Sequence, residues 1–166
     1  MGRIEMNPEI ERKFLVRKMP SLYGLTPVKQ ERYYLFDGNG IEIRIQSKND
    51  HFELERKTRI GKLSRDSHKI PISKKEFDAL KKFGKSKTVR TSYAISKNPN
   101  IKIKVYAGKF RGLVRAEIEF ESEKTARRFK PMAGMGTEIT HTPLGRDQEL
   151  GKLGRKRFKQ LLNRLL

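Results

Sequence analysis

The sequence contains no cysteine, which removes disulfides and thiolate metal centres from consideration. Histidine is scarce: His51, His68 and His141 stand at no recognisable ligand spacing, so an imidazole metal site is not expected. No apolar run approaches the roughly 20 residues needed to cross a bilayer. The opening stretch MGRIEMNPEIERK lacks the apolar core of a signal peptide. A soluble, cytoplasmic protein with no membrane partner is expected. Acids are also few. Nineteen Asp and Glu face thirty-nine Lys and Arg, a formal net charge of +20. Such a surface attracts polyanions such as nucleotides, polyphosphate, RNA or DNA.

The 166 residues are long enough to bury a core and are most simply one domain, 1–166. Strict alternation recurs along the chain. Ile41, Ile43 and Ile45 oppose Glu42, Arg44 and Gln46. Phe52 and Leu54 oppose Glu53, Glu55 and Lys57. Ile101, Ile103 and Val105 oppose Lys102, Lys104 and Tyr106. Val114, Ala116, Ile118 and Phe120 oppose Arg115, Glu117, Glu119 and Glu121. Each stretch reads as a half-buried antiparallel strand. Further strands are expected at Glu31–Phe36, Ser67–Ile72 and Val89–Ile95, with turns at DGNG 37–40, at SKND 47–50 and around Gly108.

Three helices are expected. Ser73 and Glu76 form a capping box ahead of Phe77, Leu80 and Phe83, and Gly84 follows as a stop. A second helix starts at Ser122 and buries Ala126 and Phe129. The third covers about residues 151–166, with an apolar stripe of Leu153, Phe158, Leu161, Leu162 and Leu165. Its basic side carries Arg155, Lys156, Arg157, Lys159 and Arg164. Many short strands with added helices predict an α+β fold built on an antiparallel barrel of about eight strands, helices outside. The charged parity then points into the barrel and the apolar parity outward, beneath the helices.

In PEIERKFLV, residues 8–16, Glu9, Glu11 and Lys13 share one strand face while Ile10 and Phe14 occupy the other, with Arg12 between them. The segment EIERKFLV resembles the N-terminal Glu-x-Glu-x-Lys signature of the CYTH superfamily, the triphosphate tunnel metalloenzymes. GIEIRI is similar to that family's arginine-bearing strand and HFELERKT to its lysine-bearing strand. GLVRAEIEFES resembles the late Glu-x-Glu strand, and GTEITHTPLGRD the closing Glu-Val-Thr segment. The five segments occur in family order over nearly the whole chain.

The resemblance implies an eight-stranded barrel whose tunnel binds a triphosphate, with Mg2+ or Mn2+ as cofactor. Lys13, Arg44, Lys57, Arg65, Arg90, Lys104 and Arg115 would bind phosphate. Glu9, Glu11, Glu117 and Glu119 would hold the metal, with Glu9, Glu11 and Glu119 acting in catalysis. The residue types suit these tasks: guanidinium forks match phosphate oxygens, and a divalent ion of this kind takes hard oxygen ligands. Alternation sets the two acids of each Glu-x-Glu about 6.6–6.8 Å apart along one face.

Some family positions differ here. Glu42-x-Arg44 stands for Arg-x-Arg, Lys102 and Lys104 stand where many members carry an acid, and Ser67 and Lys69 follow Arg65. Lost carboxylates and added bases favour anion binding over several metals. The expected activity is metal-dependent hydrolysis of inorganic tripolyphosphate or a nucleoside triphosphate. The alternatives are a non-catalytic binder of polyphosphate, nucleotide or RNA and, last, an adenylate cyclase. RNA or another polyanion on the basic surface and a homodimer are further candidate partners.

Overall fold

The computed structural model describes residues 9–59 and 65–166, with Arg65 described in its backbone only. Nine strands form one antiparallel sheet: β1 (Ile10–Val16), β2 (Val28–Gly38), β3 (Ile41–Lys48), β4 (His51–Arg59), β5 (Arg65–Pro71), β6 (Ser86–Lys97), β7 (Asn100–Tyr106), β8 (Val114–Phe120) and β9 (Met135–Glu138). Their order across the sheet is β5-β4-β3-β2-β6-β7-β8-β1-β9. Turn chemistry sets the hairpins. Asn39 and Gly40 between β2 and β3 both have positive φ, as a two-residue primed turn requires, and Asn49 has φ 52° between β3 and β4.

The sequence predicts eight strands, and the sheet has nine. The additional strand, β9, is only four residues long and carries no hydrophobic alternation. The sheet curls without closing: no ladder joins β5 to β9 among the described residues. Register shifts between Tyr34 and Phe36 and between Ala94 and Ser96 bend it. The curl is deep enough that Glu9, just ahead of β1, forms an ion pair with Lys57 on β4 and lies 4.0 Å from Lys69 on β5. Opposite flanks of the sheet are thus tied by side chains.

The apolar parity faces outward, as alternation predicts. Phe14, Ile101, Ile103, Ala116 and Ile118 form one buried cluster, with Phe120 and Phe129 packed against it. It lies beneath helix α2 (Glu123–Arg128), whose N-cap Ser122 accepts from the Thr125 amide. Arg12 interrupts this apolar face for a reason. Its guanidinium is bidentate to Glu138 on β9 at 2.5 and 3.0 Å and donates to the Ala126 and Phe129 carbonyls. One side chain therefore joins the edge strand to the end of α2.

Helix α1 (Lys74–Leu80) keeps the expected capping box and continues as a short 3-10 turn to Phe83. Phe77 is buried, but Phe83 is 64% exposed, because the tighter turn carries it off the apolar stripe. The expected C-terminal helix is two helices, α3 (Asp147–Lys152) and α4 (Arg155–Leu165), separated by extended Leu153 and Gly154. A side chain at Gly151 would meet the Ser86 hydroxyl at 2.6 Å, so glycine lets α3 approach β6 closely. The second core gathers Leu15, Phe110, Leu113, Ile139, Leu144, Leu150, Phe158 and Leu162 between the sheet and these helices. No helix among the described residues is long and apolar enough to cross a membrane.

Candidate active site

The concave face of the sheet encloses a cavity of about 610 Å³. Eight strands contribute charged side chains to it, and alternation brings them there. From β1 and the residue before it come Glu9, Glu11 and Lys13; from β3, Arg44; from β4, Lys57; from β6, Arg90; from β7, Lys104; and from β8, Arg115, Glu117 and Glu119. These are all the site residues named from the sequence except Arg65, whose side chain lies outside the described residues. The wall carries eleven Lys and Arg against seven carboxylates, so its net charge favours an anion.

Depth orders these charges. Lys48, Lys69 and Lys102 are 36%, 44% and 36% exposed at the open side, whereas Arg115 is 1% exposed at the far end. At the middle, Arg44 donates to Glu55 at 2.6 and 2.9 Å and to Glu42 at 2.6 Å. Glu55 also accepts from the Ser67 hydroxyl at 2.7 Å. Burial would raise the Glu55 pKa, but Arg44 and Lys57 hold it well below the usual carboxylate range. Glu42 and Glu55 therefore fix Arg44 in place, as bases with buried acids commonly are.

Lys104 is paired with Glu117, which also accepts from Arg115. Burial would raise Glu117, yet Lys104, Arg115 and Lys13 drive its carboxyl far down. Burial, together with Arg90 and Arg115, pushes the Lys104 ammonium well below its ordinary value despite Glu117. On β1, Lys13 reaches Glu11 at 2.6 Å. Burial opposes ionisation of Glu11, but Lys13 and Lys104 bring its pKa down to about 2. Nearer solvent, Glu119 accepts from Lys102 at 2.9 Å and from the Asn100 amide at 2.6 Å.

Among the wall residues that sequence reasoning passes over are Gln30, Arg32 and Asp147. Gln30 and Arg32 lie on β2, where polar side chains stand on both parities and alternation gives no signal. Asp147 is the first residue of α3, where an acid reads simply as a favourable charge at a helix start. Its carboxylate instead turns into the cavity. Arg32 donates to it at 2.8 Å, Arg115 at 2.8 Å and the Tyr106 hydroxyl at 2.5 Å, and Arg90 is bonded to it as well.

The cavity and its charges have a counterpart in known proteins. The chain is 31% identical over 137 residues to an inorganic triphosphatase of Nitrosomonas europaea, spanning 80% of this chain and 89% of that protein. It belongs to the CYTH superfamily, the triphosphate tunnel metalloenzymes. A crystal structure of an inorganic triphosphatase superposes with a TM-score of 0.67 at 27% identity, covering 88% of this chain and 95% of the other. A protein from Pyrococcus horikoshii shares the fold at a TM-score of 0.56 and 12% identity, over 72% of this chain and 84% of its own. No protein-family model matches the chain.

The tunnel's donors suit a hard divalent cation in kind, because the wall offers carboxylate oxygens and neither thiolate nor imidazole. They do not form a cage on their own. Among the described residues no three acidic or histidine side chains converge as a metal site. Glu11 and Glu117 share the tunnel wall closely enough that the Glu117 charge opposes ionisation of Glu11. That geometry fits an ion taking one or two carboxylates and completing its shell with water and substrate oxygens, a common arrangement for Mg2+.

Proposed function

We propose that the chain hydrolyses a triphosphate bound in this tunnel, with inorganic tripolyphosphate as the leading substrate and Mg2+ or Mn2+ as cofactor. The observation that carries this reading is the convergence of Lys13, Arg44, Lys57, Lys104 and Arg115 with four glutamates on one enclosed cavity. A volume of about 610 Å³ suits one small ligand. The 31% identical relative is named an inorganic triphosphatase.

In this reading Lys13, Lys57 and Lys104 bind the phosphate chain as point charges, while Arg44 and Arg115 offer planar forks. Arg90, and Arg65 by its place in the sequence, complete the anion-binding set. Glu11 and Glu117 would hold the divalent ion, with Glu9 and Glu119 beside them. The ion supplies charge neutralisation on the phosphate oxygens. Glu9 and Glu119, nearer solvent, orient the water. Its oxygen forms a bond to a terminal phosphorus as the bridging P–O bond breaks, and the electron pair leaves on pyrophosphate. The proton of the water passes to a carboxylate or to solvent.

The test is phosphate release from tripolyphosphate under Mg2+ or Mn2+. Release that disappears in Glu11→Gln while tripolyphosphate still binds supports hydrolysis. A second reading, a non-hydrolytic polyphosphate or nucleotide binder, draws support from the basic partners on Glu9, Glu11, Glu117 and Glu119. Tight tripolyphosphate binding with no release under either ion decides for the binder. A separate RNA-binding role is supported by the exposed Arg155, Lys156, Arg157, Lys159 and Arg164 of α4. It predicts steeply salt-dependent RNA binding that alanine changes in α4 weaken more than Lys13→Ala does.

A further inference from the structure

We propose that Asp147 is a specificity-determining residue: a fixed anion that closes the deep end of the tunnel and sets how far a phosphate chain enters. The inference rests on the triphosphate reading above. Donors from four strands converge on this one carboxylate. Arg115 and the Tyr106 hydroxyl donate to Oδ1 at 2.8 and 2.5 Å. Arg32 donates to Oδ2 at 2.8 Å, and Arg90 reaches the same oxygen. Asp147, Arg32, Arg90, Arg115 and Tyr106 are all less than a tenth exposed.

Three guanidinium groups and a phenol around two oxygens form the kind of donor set that would hold a phosphate. Here the chain supplies the anion itself. The carboxylate is anchored from behind, because Leu150 and Gly151 of the same helix are buried and Gly151 sits tight against Ser86 on β6. Its neighbours Arg146 and Gln148 also line the tunnel, so this segment crosses the tunnel end.

An entering phosphate chain meets the exposed lysines first, then Lys13, Arg44, Lys57 and Lys104, and last Arg32, Arg90 and Arg115. Those arginines are already engaged by Asp147. A phosphate brought beside the carboxylate is repelled by it in a water-poor setting, where such charges act strongly. The innermost phosphate therefore stops short of Arg32, and an added phosphate gains little by going deeper. A purely architectural ion-pair network would make no distinction between chain lengths.

The experiment is calorimetric titration of the full chain with pyrophosphate, tripolyphosphate and tetrapolyphosphate at fixed ionic strength, for the wild type and Asp147→Asn. Asparagine keeps the shape and removes the charge. The affinity added by the fourth phosphate is expected to rise about tenfold or more in the variant, while wild-type protein gains little from it. A variant that changes affinity for all three chains by one common factor overturns the inference. Should Asp147→Asn fail to fold, the charge-balanced pair Arg32→Gln with Asp147→Asn is expected to show the same gain, and the wild-type length ratio in that protein overturns the inference too. Wild-type protein that binds none of the chains removes the triphosphate reading and this inference together. Wild-type binding of tripolyphosphate, with unchanged length ratios in the variants, removes this inference alone.

Discussion

At the scale of single residues, the buried acids of the tunnel hold its bases in position. Glu55 is 1% exposed and accepts from Arg44 and Ser67. Replacing it by glutamine leaves Arg44 with a buried charge only partly matched by Glu42. Glu55→Gln is expected to cost about 3–5 kcal/mol of stability, read from denaturant unfolding of the two proteins. Glu11 has a different place, beside Lys13 and partly open to water. Glu11→Gln is expected to lower the turnover of tripolyphosphate by about a hundredfold or more, while tripolyphosphate still binds.

These acids also set the pH response. Glu11 has its pKa lowered from 4.5 to about 2, and Glu55, Glu117 and Asp147 are likewise depressed by their basic neighbours. A depressed carboxyl binds fewer protons in the native state than in the unfolded chain. Its contribution to stability is therefore complete above the unfolded value and is lost as pH falls through the native one. The melting temperature is expected to lose this contribution between pH 4.5 and about 2, the interval over which Glu11 shifts. A melting temperature that rises on acidification through that interval would contradict the ion-pair assignment.

At the scale of elements, the alternating strands were open to sequence reading because one parity is apolar and the other charged. Ile41, Ile43 and Ile45 against Glu42, Arg44 and Gln46 leave one register and one choice of faces. That choice also placed the candidate site, since every charged residue read on the inner parity of β3, β4, β7 and β8 up to Glu119 reached the wall or its partners. Strand β2 hid Arg32 because Lys29, Gln30, Glu31 and Arg32 give polar side chains on both faces. The break between α3 and α4 was also hidden, because the apolar stripe of Leu153, Phe158, Leu161, Leu162 and Leu165 runs through Gly154 as if one helix carried it.

Helix α4 is held mainly by packing. Phe158 is 1% exposed and lies edge-on to Phe110 with ring centroids 5.3 Å apart. Phe158→Ala is expected to cost about 3–5 kcal/mol and to release α4 from the sheet, checked by thermal unfolding with hydrogen exchange of residues 155–165. On the other side of the molecule, Ser122→Ala removes the cap of a six-residue helix and is expected to cost about 0.5–2 kcal/mol. Comparable losses in both variants would contradict this ordering of the two helices.

At the scale of the whole molecule, net charge and tunnel charge are separate matters. The wall holds eleven of the thirty-nine basic residues and seven of the nineteen acids, so most of the +20 is carried by residues other than these. That charge steers anions toward the protein over long range and is weakened by salt. In the proposed reading, the charges of the tunnel wall fix where an anion comes to rest. The curl of the sheet decides which residues belong to which group, through the bulges in β2 and β6 and the Glu9–Lys57 pair across the two flanks. None of this curvature is written in a local sequence pattern, because it depends on residues about 48 positions apart meeting across the tunnel.

The most direct measurement is a crystal structure of the protein grown with tripolyphosphate and Mn2+. The phosphate chain is expected inside the curled sheet, touching Lys13, Arg44 and Lys104, with manganese density between it and Glu11 or Glu117. Tripolyphosphate bound only along the outer face of α4, with those five side chains making no contact to it or to the metal, would contradict an inward-facing triphosphate site.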